Sequence, residues 1–408
     1  VRTLDIAGLA SIFEGLPENP RVVVSGNFAS PHVAIGILDK AVPAYRLHAL
    51  NAQPGLPDRE GVTLETAFVG PGMRRSPRLA YVPARLSLVP QLFVRTLPPD
   101  VVILHTSRVI DGTVSMGMEV NILPAAVEAV RARGGIVVAQ VNARMPYTFG
   151  DAVLPVESVD YAIEVDEALP SPAGGGLDDT SAAIGALVAE RVPDGATLQM
   201  GIGAVPDAVL HGLKSRRGLK LWSEMFSDGI LPLEQVGALD PDTPLTASFL
   251  FGSEELYRWV DRNPRVLMLR TETTNAPALI ARNPLMVSVN TALQVDLFAQ
   301  ANASRIKARI FSGFGGQTDF IVGAVHSAGG QSFMALRSWH PKADVSTIIP
   351  LVDEPVTSFQ PTAVITEQGV ADIWGHDERS QARHLIEHAA HPRVREELWE
   401  EAHALGLA

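Results

Sequence analysis

Glu224 lies in Ser223-Glu224-Met225-Phe226-Ser227-Asp228-Gly229, after the apolar start of a strand and ahead of a glycine turn. A glutamate at the end of a strand in an α/β cleft is well placed to react, whereas the plainer reading is an exposed loop carboxylate. Upstream, Met200-Gly201-Ile202-Gly203-Ala204-Val205-Pro206 follows a strand and opens a helix whose first-turn proline needs no backbone donor. Its amides could face an anion or oxyanion, or it is simply a tight turn. It is not a dinucleotide fingerprint, because Pro206 stands where the third glycine belongs, and no Gly-x4-Gly-Lys-Ser/Thr loop occurs. In Phe311-Ser312-Gly313-Phe314-Gly315-Gly316-Gln317-Thr318-Asp319, three glycines in four positions can offer two amides to one oxygen, or form a plain glycine-rich hairpin.

Two further patterns suggest other chemistry. His384-Leu385-Ile386-Glu387-His388 has zinc-peptidase spacing, but it sits in a stretch rich in charge of both signs, which reads as a solvated helix face. Val325-His326-Ser327-Ala328-Gly329 departs from a serine nucleophile elbow at its first position, where Val325 replaces glycine.

Composition narrows the chemistry. The 408 residues contain no cysteine, so disulfides, thiolate metal sites, iron–sulfur clusters and a cysteine nucleophile are excluded. Asp and Glu number 45 against 33 Lys and Arg, a formal charge of -12 that argues against nucleic acid as a partner while leaving room for a local basic pocket for one small anion. Apolar stretches such as 182–189 fall far short of the ~18 residues of a membrane helix. The opening twenty residues lack a basic start and a long apolar run, so neither membrane nor signal peptide is expected and the location is expected to be cytoplasmic.

Short β-rich runs alternate with helical ones: RVVVSG then PHVAIGILDKAV, DVVILHTS then NILPAAVEAVRARGG, ATLQMG then VPDAVLHGLKS. This is the pattern of an α/β protein with mainly parallel sheets. A shift of 175 residues lays Val22–Gly26 over Thr197–Gly201, Pro31 on Pro206 and Ala49 on Glu224, so one half carries the carboxylate and the other does not. The glycine run in PSPAGGGLDD, followed by Thr180 or Ser181 as a helix cap, places a boundary between an N-terminal domain, 1–175, and a C-terminal domain, 176–408, with a ligand cleft expected between them.

In order along the chain, LQMGIGAVPDAVL, SEMFSDGIL, SFLFGSEELYRWVDRNP, VNTALQVDLFAQANA, FSGFGGQTDFIVGA and AVITEQGVADIWG resemble the acetyl-CoA hydrolase/transferase family. VNARMPYTFGD extends the resemblance into the first half, so that it covers nearly the whole chain. The resemblance implies two similar open α/β domains in tandem, with the active site in the cleft between them, and acyl-CoA:carboxylate CoA-transfer among acetate, butyrate and 4-hydroxybutyrate. The glutamate of the SEM-like motif matches Glu224 as nucleophile, and donors to the oxyanion or acyl group match Ile202, Asn275 in TTNAP and Gly316. The plainer reading of Asn275 is a cap before Pro277, and the functional one is favoured. Gly201, Gly203, Gly313, Gly315, Gly316 and Gln317 fall near CoA or the acyl group. Coenzyme A enters as substrate and product, no metal or redox cofactor is required, and a homodimer is expected by analogy.

The chain departs from relatives at Trp222, where His or Tyr is common, and at 106–111, where a Ser-Pro-Pro-Asp-like stretch is usual. These departures bear on the acyl pocket and the acceptor. Arg144 reads either as an attractor for an acid or CoA phosphate or as a surface arginine. The nearest rival function is an acyl-CoA hydrolase using the same Glu224; more distant ones are a zinc hydrolase at His384, Glu387 and His388, a serine hydrolase, and a non-catalytic CoA or acid sensor.

Overall fold

Runs such as RVVV and VVILHT offer apolar side chains to both faces, which suits strands buried within a parallel sheet. In the computed structural model, which describes residues 1–172 and 176–408, such runs build the centre of two sheets. The expected boundary at 175/176 touches residues 173–175, which lie outside the described residues. Two compact units are present. The first takes in 1–172 with 244–274 and 310–315; the second takes in 176–243, 275–309 and 316–408.

The first unit holds an eight-stranded sheet: β1 (Arg2–Thr3), β2 (Arg21–Val24), β3 (Tyr45–His48), β4 (Val62–Thr66), β5 (Leu79–Tyr81), β6 (Val101–Thr106), β7 (Ile136–Asn142) and β8 (Tyr161–Val165). Their spatial order is β1-β8-β7-β6-β2-β3-β4-β5. Every neighbouring pair is parallel. Strand order reverses between β2 and β6, the doubly wound arrangement. Leu9 and Phe13 of α1 (Ile6–Glu14) and Ile35 and Leu38 of α2 (His32–Ala41) share a buried core with Val22, Val24, Leu47 and Leu64 of the sheet.

The second unit has β9 (Thr197–Gln199), β10 (Lys220–Leu221), β11 (Met286–Asn290), β12 (Gln331–Ala335), β13 (Ala363–Thr366) and β14 (Gly369–Asp372), in the order β10-β9-β11-β12-β13-β14. All its pairs are parallel except the closing β13–β14 hairpin. Helix α3 (Asp179–Glu190) is capped by Asp178, whose carboxylate accepts from Ser181 N, rather than by Thr180 or Ser181. An aspartate in extended backbone reaches that amide and brings a negative charge to the helix's positive end. Helix α4 (Ala204–Gly212) packs tightly on α3. A Cβ on Gly185 would lie 2.6 Å from the Ala208 carbonyl carbon, and one on Gly212 2.8 Å from Ala189 Cβ. This contact fixes where α4 begins, and so fixes the glycine turn before it.

The strand, turn, helix, strand repeat is present in both units: β2, α2, β3 in one and β9, α4, β10 in the other, each with its two strands paired in parallel. Among the described residues, no helix is long and apolar enough to cross a membrane.

The first sheet contains a buried ionic cluster on adjacent strands. Arg21 donates through Nε to Glu65 Oε2 at 2.8 Å and through Nη2 to Oε1 at 3.2 Å, while His48 Nδ1 stands 3.9 Å from Oε2. Burial alone would raise the Glu65 pKa, but the facing His48 and Arg21 outweigh it and hold the group at about 2. Its folded-state pKa is thus depressed, so the stability it contributes is present above the ordinary carboxylate pKa and is lost as pH falls towards 2. Removing the guanidinium strands a buried charge. Arg21→Ala should cost about 3–5 kcal/mol in urea unfolding at pH 7, and the deficit should shrink as pH falls through the range in which Glu65 takes up a proton.

Candidate active site

The site is assembled in the second unit at the C-terminal ends of β9 and β10, the position where open parallel sheets present reactive groups. Trp222 continues the pairing by donating from its amide to Leu198 O at 3.1 Å. The chain then turns, and Ser223 holds the turn. Its fully buried hydroxyl donates to Met200 O at 3.1 Å and accepts from Met200 N at 3.3 Å and Met225 N at 3.4 Å. Met200 and Met225 also form an antiparallel bridge. One side chain therefore ties the residue before the Gly201 turn to both flanks of Glu224, leaving little freedom in the direction of the Glu224 side chain.

Two donors meet the Glu224 carboxylate. Asn275, fully buried and two residues ahead of α5 (Pro277–Ile280), points Nδ2 at Oε2 from 3.4 Å, a long hydrogen bond. The second is the backbone N–H of Gly316, the residue capping α6 (Gln317–His326). Its N–H is at the positive end of the helix, where amides have no partner within the helix itself. The glycine is required by space, since a Cβ built on Gly316 would overlap both Glu224 Oε2 and Asn275 Nδ2.

Glu224 keeps some accessible surface, but its carboxyl group is surrounded by protein atoms. Burial pushes its pKa up to about 7; the Asn275 amide and the Gly316 N–H favour the charged form, while the buried Asp319 opposes it as a like charge. Asp319 lies in the first turn of α6. The result is a carboxylate with few donors and a basicity well above that of an ordinary glutamate.

The other sequence-marked residues are placed as follows. Gly201 and Gly203 border open space, Gly203 has φ 130°, and the Ile202 side chain is 43% exposed. The absence of a side chain at Gly313 and Gly315 is explained by packing: a Cβ on Gly313 would be 2.7 Å from Ala67 O, and one on Gly315 2.8 Å from the Phe68 ring. Gln317 Nε2 donates to Thr291 O at 3.0 Å. Trp222 packs on Ile280, Met286, Phe320 and Ala324, joining the end of β10 to α6. Arg144 is paired with Asp166 at an exposed position, at 2.7 Å. In the 106–111 stretch, Ile110 and Thr113 bridge a turn in which Asp111 has φ 48°.

The rival motifs have structural roles. His384 Nδ1 bonds Asp372 O at 2.7 Å, and the 384–388 region passes from α7 (Glu378–His384) into a π-helical turn. Among the described residues, no group of three or more His, Asp or Glu side chains is placed to hold a metal ion. Ser327 uses its hydroxyl to donate to Asn283 O at 2.6 Å and to accept from Met286 N at 3.2 Å. The roles of Ser223 and Asp319 were missed by sequence reasoning, although both lie inside motifs it selected.

The N-terminal and C-terminal domain models of acetyl-CoA hydrolase/transferase match residues 63–172 and 252–402. A 4-hydroxybutyrate coenzyme A transferase of Clostridium kluyveri is 38% identical over 349 residues, covering 82% of this chain and 80% of that protein. The chain belongs to the acetyl-CoA hydrolase/transferase family. Among solved structures, RipA from Yersinia pestis superposes with TM-score 0.91 at 25% identity, covering 99% of this chain and 100% of the other. A 4-hydroxybutyrate CoA-transferase from Porphyromonas gingivalis gives TM-score 0.83 at 29% identity, covering 99% and 98%. As a member of the acetyl-CoA hydrolase/transferase family, the chain is an enzyme of that kind with the two-domain, mainly parallel α/β fold.

Two outcomes are expected from this geometry. Gly316→Ala should lower kcat by about 10²-fold or more, with the unfolding midpoint near that of the parent, because the added methyl occupies the position of the carboxyl and its donor. In a pH profile of kcat/KM, activity should rise with pH along a limb with midpoint about 7 as Glu224 ionises. Asp319→Asn removes the like charge and should move that limb to lower pH.

Proposed function

We propose that the protein is an acyl-CoA:carboxylate CoA-transferase in which Glu224 is the nucleophile, with short-chain acyl-CoA as donor and a small carboxylate such as acetate, butyrate or 4-hydroxybutyrate as acceptor. The observation that carries the reading is the enclosed Glu224 carboxyl touched by the Asn275 amide and the Gly316 N–H. Kinship with a 4-hydroxybutyrate coenzyme A transferase supports the substrate class.

Ionised Glu224 attacks the thioester carbonyl; the carbon–sulfur bond breaks, leaving an acyl-glutamyl anhydride and CoA thiolate. The thiolate attacks the glutamyl carbonyl of that anhydride, releasing the first acid and leaving a glutamyl-CoA thioester. The acceptor carboxylate attacks this thioester to form a new anhydride and free thiolate. Thiolate attack on the acceptor's acyl carbon then gives the new acyl-CoA and restores Glu224. Each step passes through a tetrahedral oxyanion, to which the Gly316 N–H and the Asn275 amide are the proposed donors, with Ile202 N a further one. The open space over Gly201 and Gly203 suits close approach of CoA or the acyl group to the main chain, and Gly313, Gly315 and Gln317 remain assigned to the same surroundings. CoA is a substrate, and no step calls for a metal or redox cofactor.

The proposal keeps 1–175 and 176–408 as the two family domains. A homodimer and a cytoplasmic location are carried with it, the first by analogy with the family and the second from the sequence's lack of a signal-like opening and of a long apolar run. A hydrolase using the same glutamate is the second reading, favoured by the family's own mixture of the two activities. Mass spectrometry of CoA esters after mixing the protein with acetyl-, propionyl- and butyryl-CoA, with and without acceptor acids, separates them. New CoA esters formed only with acceptor are expected, whereas free CoA released equally in both mixtures would mean that water is the acceptor. Glu224→Gln should abolish either activity by orders of magnitude while its unfolding midpoint at pH 8 does not fall, because a buried charge has been removed.

A further inference from the structure

The two faces of the first sheet are covered unequally at its β1 edge. Leu9 and Phe13 of α1 share a core with Val138 of β7 and Ile163 of β8, so a helix closes one face of these strands. Strands of a parallel sheet ordinarily have both faces covered. Alternation turns Ala139, Val141, Ala162 and Glu164 to the opposite face. The register sets Thr3, Ala162 and Ala139 side by side across β1, β8 and β7, with Glu164 beside Val141. That face borders a cavity of about 650 Å³ walled by Val109, Val114, Val156 and Val159, and every residue that lines it belongs to the first unit. The alanines in the middle of the row leave the recess open where larger side chains would fill it.

Three charged side chains, Arg108, Glu164 and Asp166, complete the lining. Asp166 is committed: it accepts from Arg144 Nε at 2.7 Å, and its pKa is lowered first by that bond and also by the nearby charge of Arg108. Arg108 and Glu164 are exposed, and among the described residues neither side chain has a hydrogen-bond or ion-pair partner. Glu164 and Asp166 are two residues apart along extended chain, about 7 Å. With Arg108 at the Asp166 end, a cation and an anion stand about that far apart over an apolar floor. A lone anion in the recess would face Glu164, and a lone cation would face Arg108. A neutral apolar molecule would strip water from both charges without replacing it.

We propose that this recess binds an apolar zwitterion whose charged ends are about 7 Å apart, its ammonium on Glu164, its carboxylate on Arg108 and its apolar body over Ala139 and Ala162. The guanidinium fork matches a carboxylate, and the apolar floor supplies the remaining contact. Two sources share this chemistry: an apolar dipeptide, which spans about 7 Å when extended, and an aliphatic ω-amino acid of similar reach. The site does not depend on the proposed CoA transfer, because its residues belong to the first unit and Glu224 to the second.

The test is calorimetric titration of the full chain, and of its Arg108→Ala and Glu164→Gln variants, with leucyl-leucine, 6-aminohexanoate and leucine. Binding of leucyl-leucine or 6-aminohexanoate is expected, and which of them binds separates a peptide source from an ω-amino acid. Leucine, with its charges close together, should bind at least tenfold more weakly. N-acetylation of the ligand that binds should weaken it at least tenfold against the parent chain and make little further difference in Glu164→Gln. Amidation of its carboxylate should behave in the same way with Arg108→Ala. Both side chains are exposed, so the variants should keep the parent's unfolding midpoint. Absence of binding by both ligands, or blocked forms that bind as well as the free zwitterion, overturns the proposal. So does self-association of the ligand-free chain that either variant weakens, because a second copy would then be the occupant.

Discussion

Enclosing a carboxyl group in protein costs its charged form the solvation of water, and the cost is relieved only as far as local donors replace that water. At Glu224 the replacement is deliberately thin: one long amide contact and one backbone N–H, with a second buried carboxylate, Asp319, pushing in the opposite direction. Much of the surrounding architecture serves to maintain this arrangement. Ser223 satisfies three backbone groups of Met200 and Met225, so that the turn carrying Glu224 does not relax toward solvent. Gly316 lets the end of a helix approach where any side chain would collide.

The larger elements act through the same few contacts. Trp222 packs on Phe320 and Ala324 of α6, the helix whose cap is Gly316. The tryptophan thus couples the end of β10, two residues before Glu224, to the helix whose cap donates to that carboxyl, and its bulk at this position has a packing explanation independent of any acyl group. On the other side of the turn, the glycine-to-alanine contacts between α3 and α4 set the height at which α4 starts, and hence the position of Gly201 to Gly203. A change at Gly185 or Gly212 would therefore reach the site without touching it.

Much of this was legible in the sequence because it depends on pattern. Apolar runs such as RVVV and VVILHT marked central strands of the first sheet and ATLQMG one of the second, the internal repeat gave a strand, turn, helix, strand unit on each side, and motif order pointed to Glu224, Asn275 and Gly316. What escaped was set by three-dimensional partners. Ser223 looks like any small polar residue until its hydroxyl is found between two strands' ends. Asp178 outcompetes Thr180 and Ser181 as cap because its backbone is extended and its carboxylate reaches Ser181 N. The resemblance singled out Gly316 in the 311–316 loop, but not that Gly313 and Gly315 make room for Ala67 and Phe68 whereas Gly316 makes room for the carboxyl. The histidine pattern at 384–388, read from its charged surroundings as a solvated helix face, does expose Glu387 and His388, whereas the bond of His384 to a backbone carbonyl was not legible.

A carboxylate is a poor match for a thioester. With an ordinary pKa of about 4.3 it would have to expel a thiolate of pKa about 8.5, a gap of roughly four units that favours collapse back to reactants. Raising Glu224 to about 7 removes more than half of that gap, towards the compromise between basicity and charge that favours reaction at the working pH. The oxyanion formed on attack then develops beside the same sparse donors that only partly stabilised the ground-state carboxylate. On the proposed route, burial that destabilises the resting charge is what makes a chain without cysteine able to exchange thiolate for carboxylate at all.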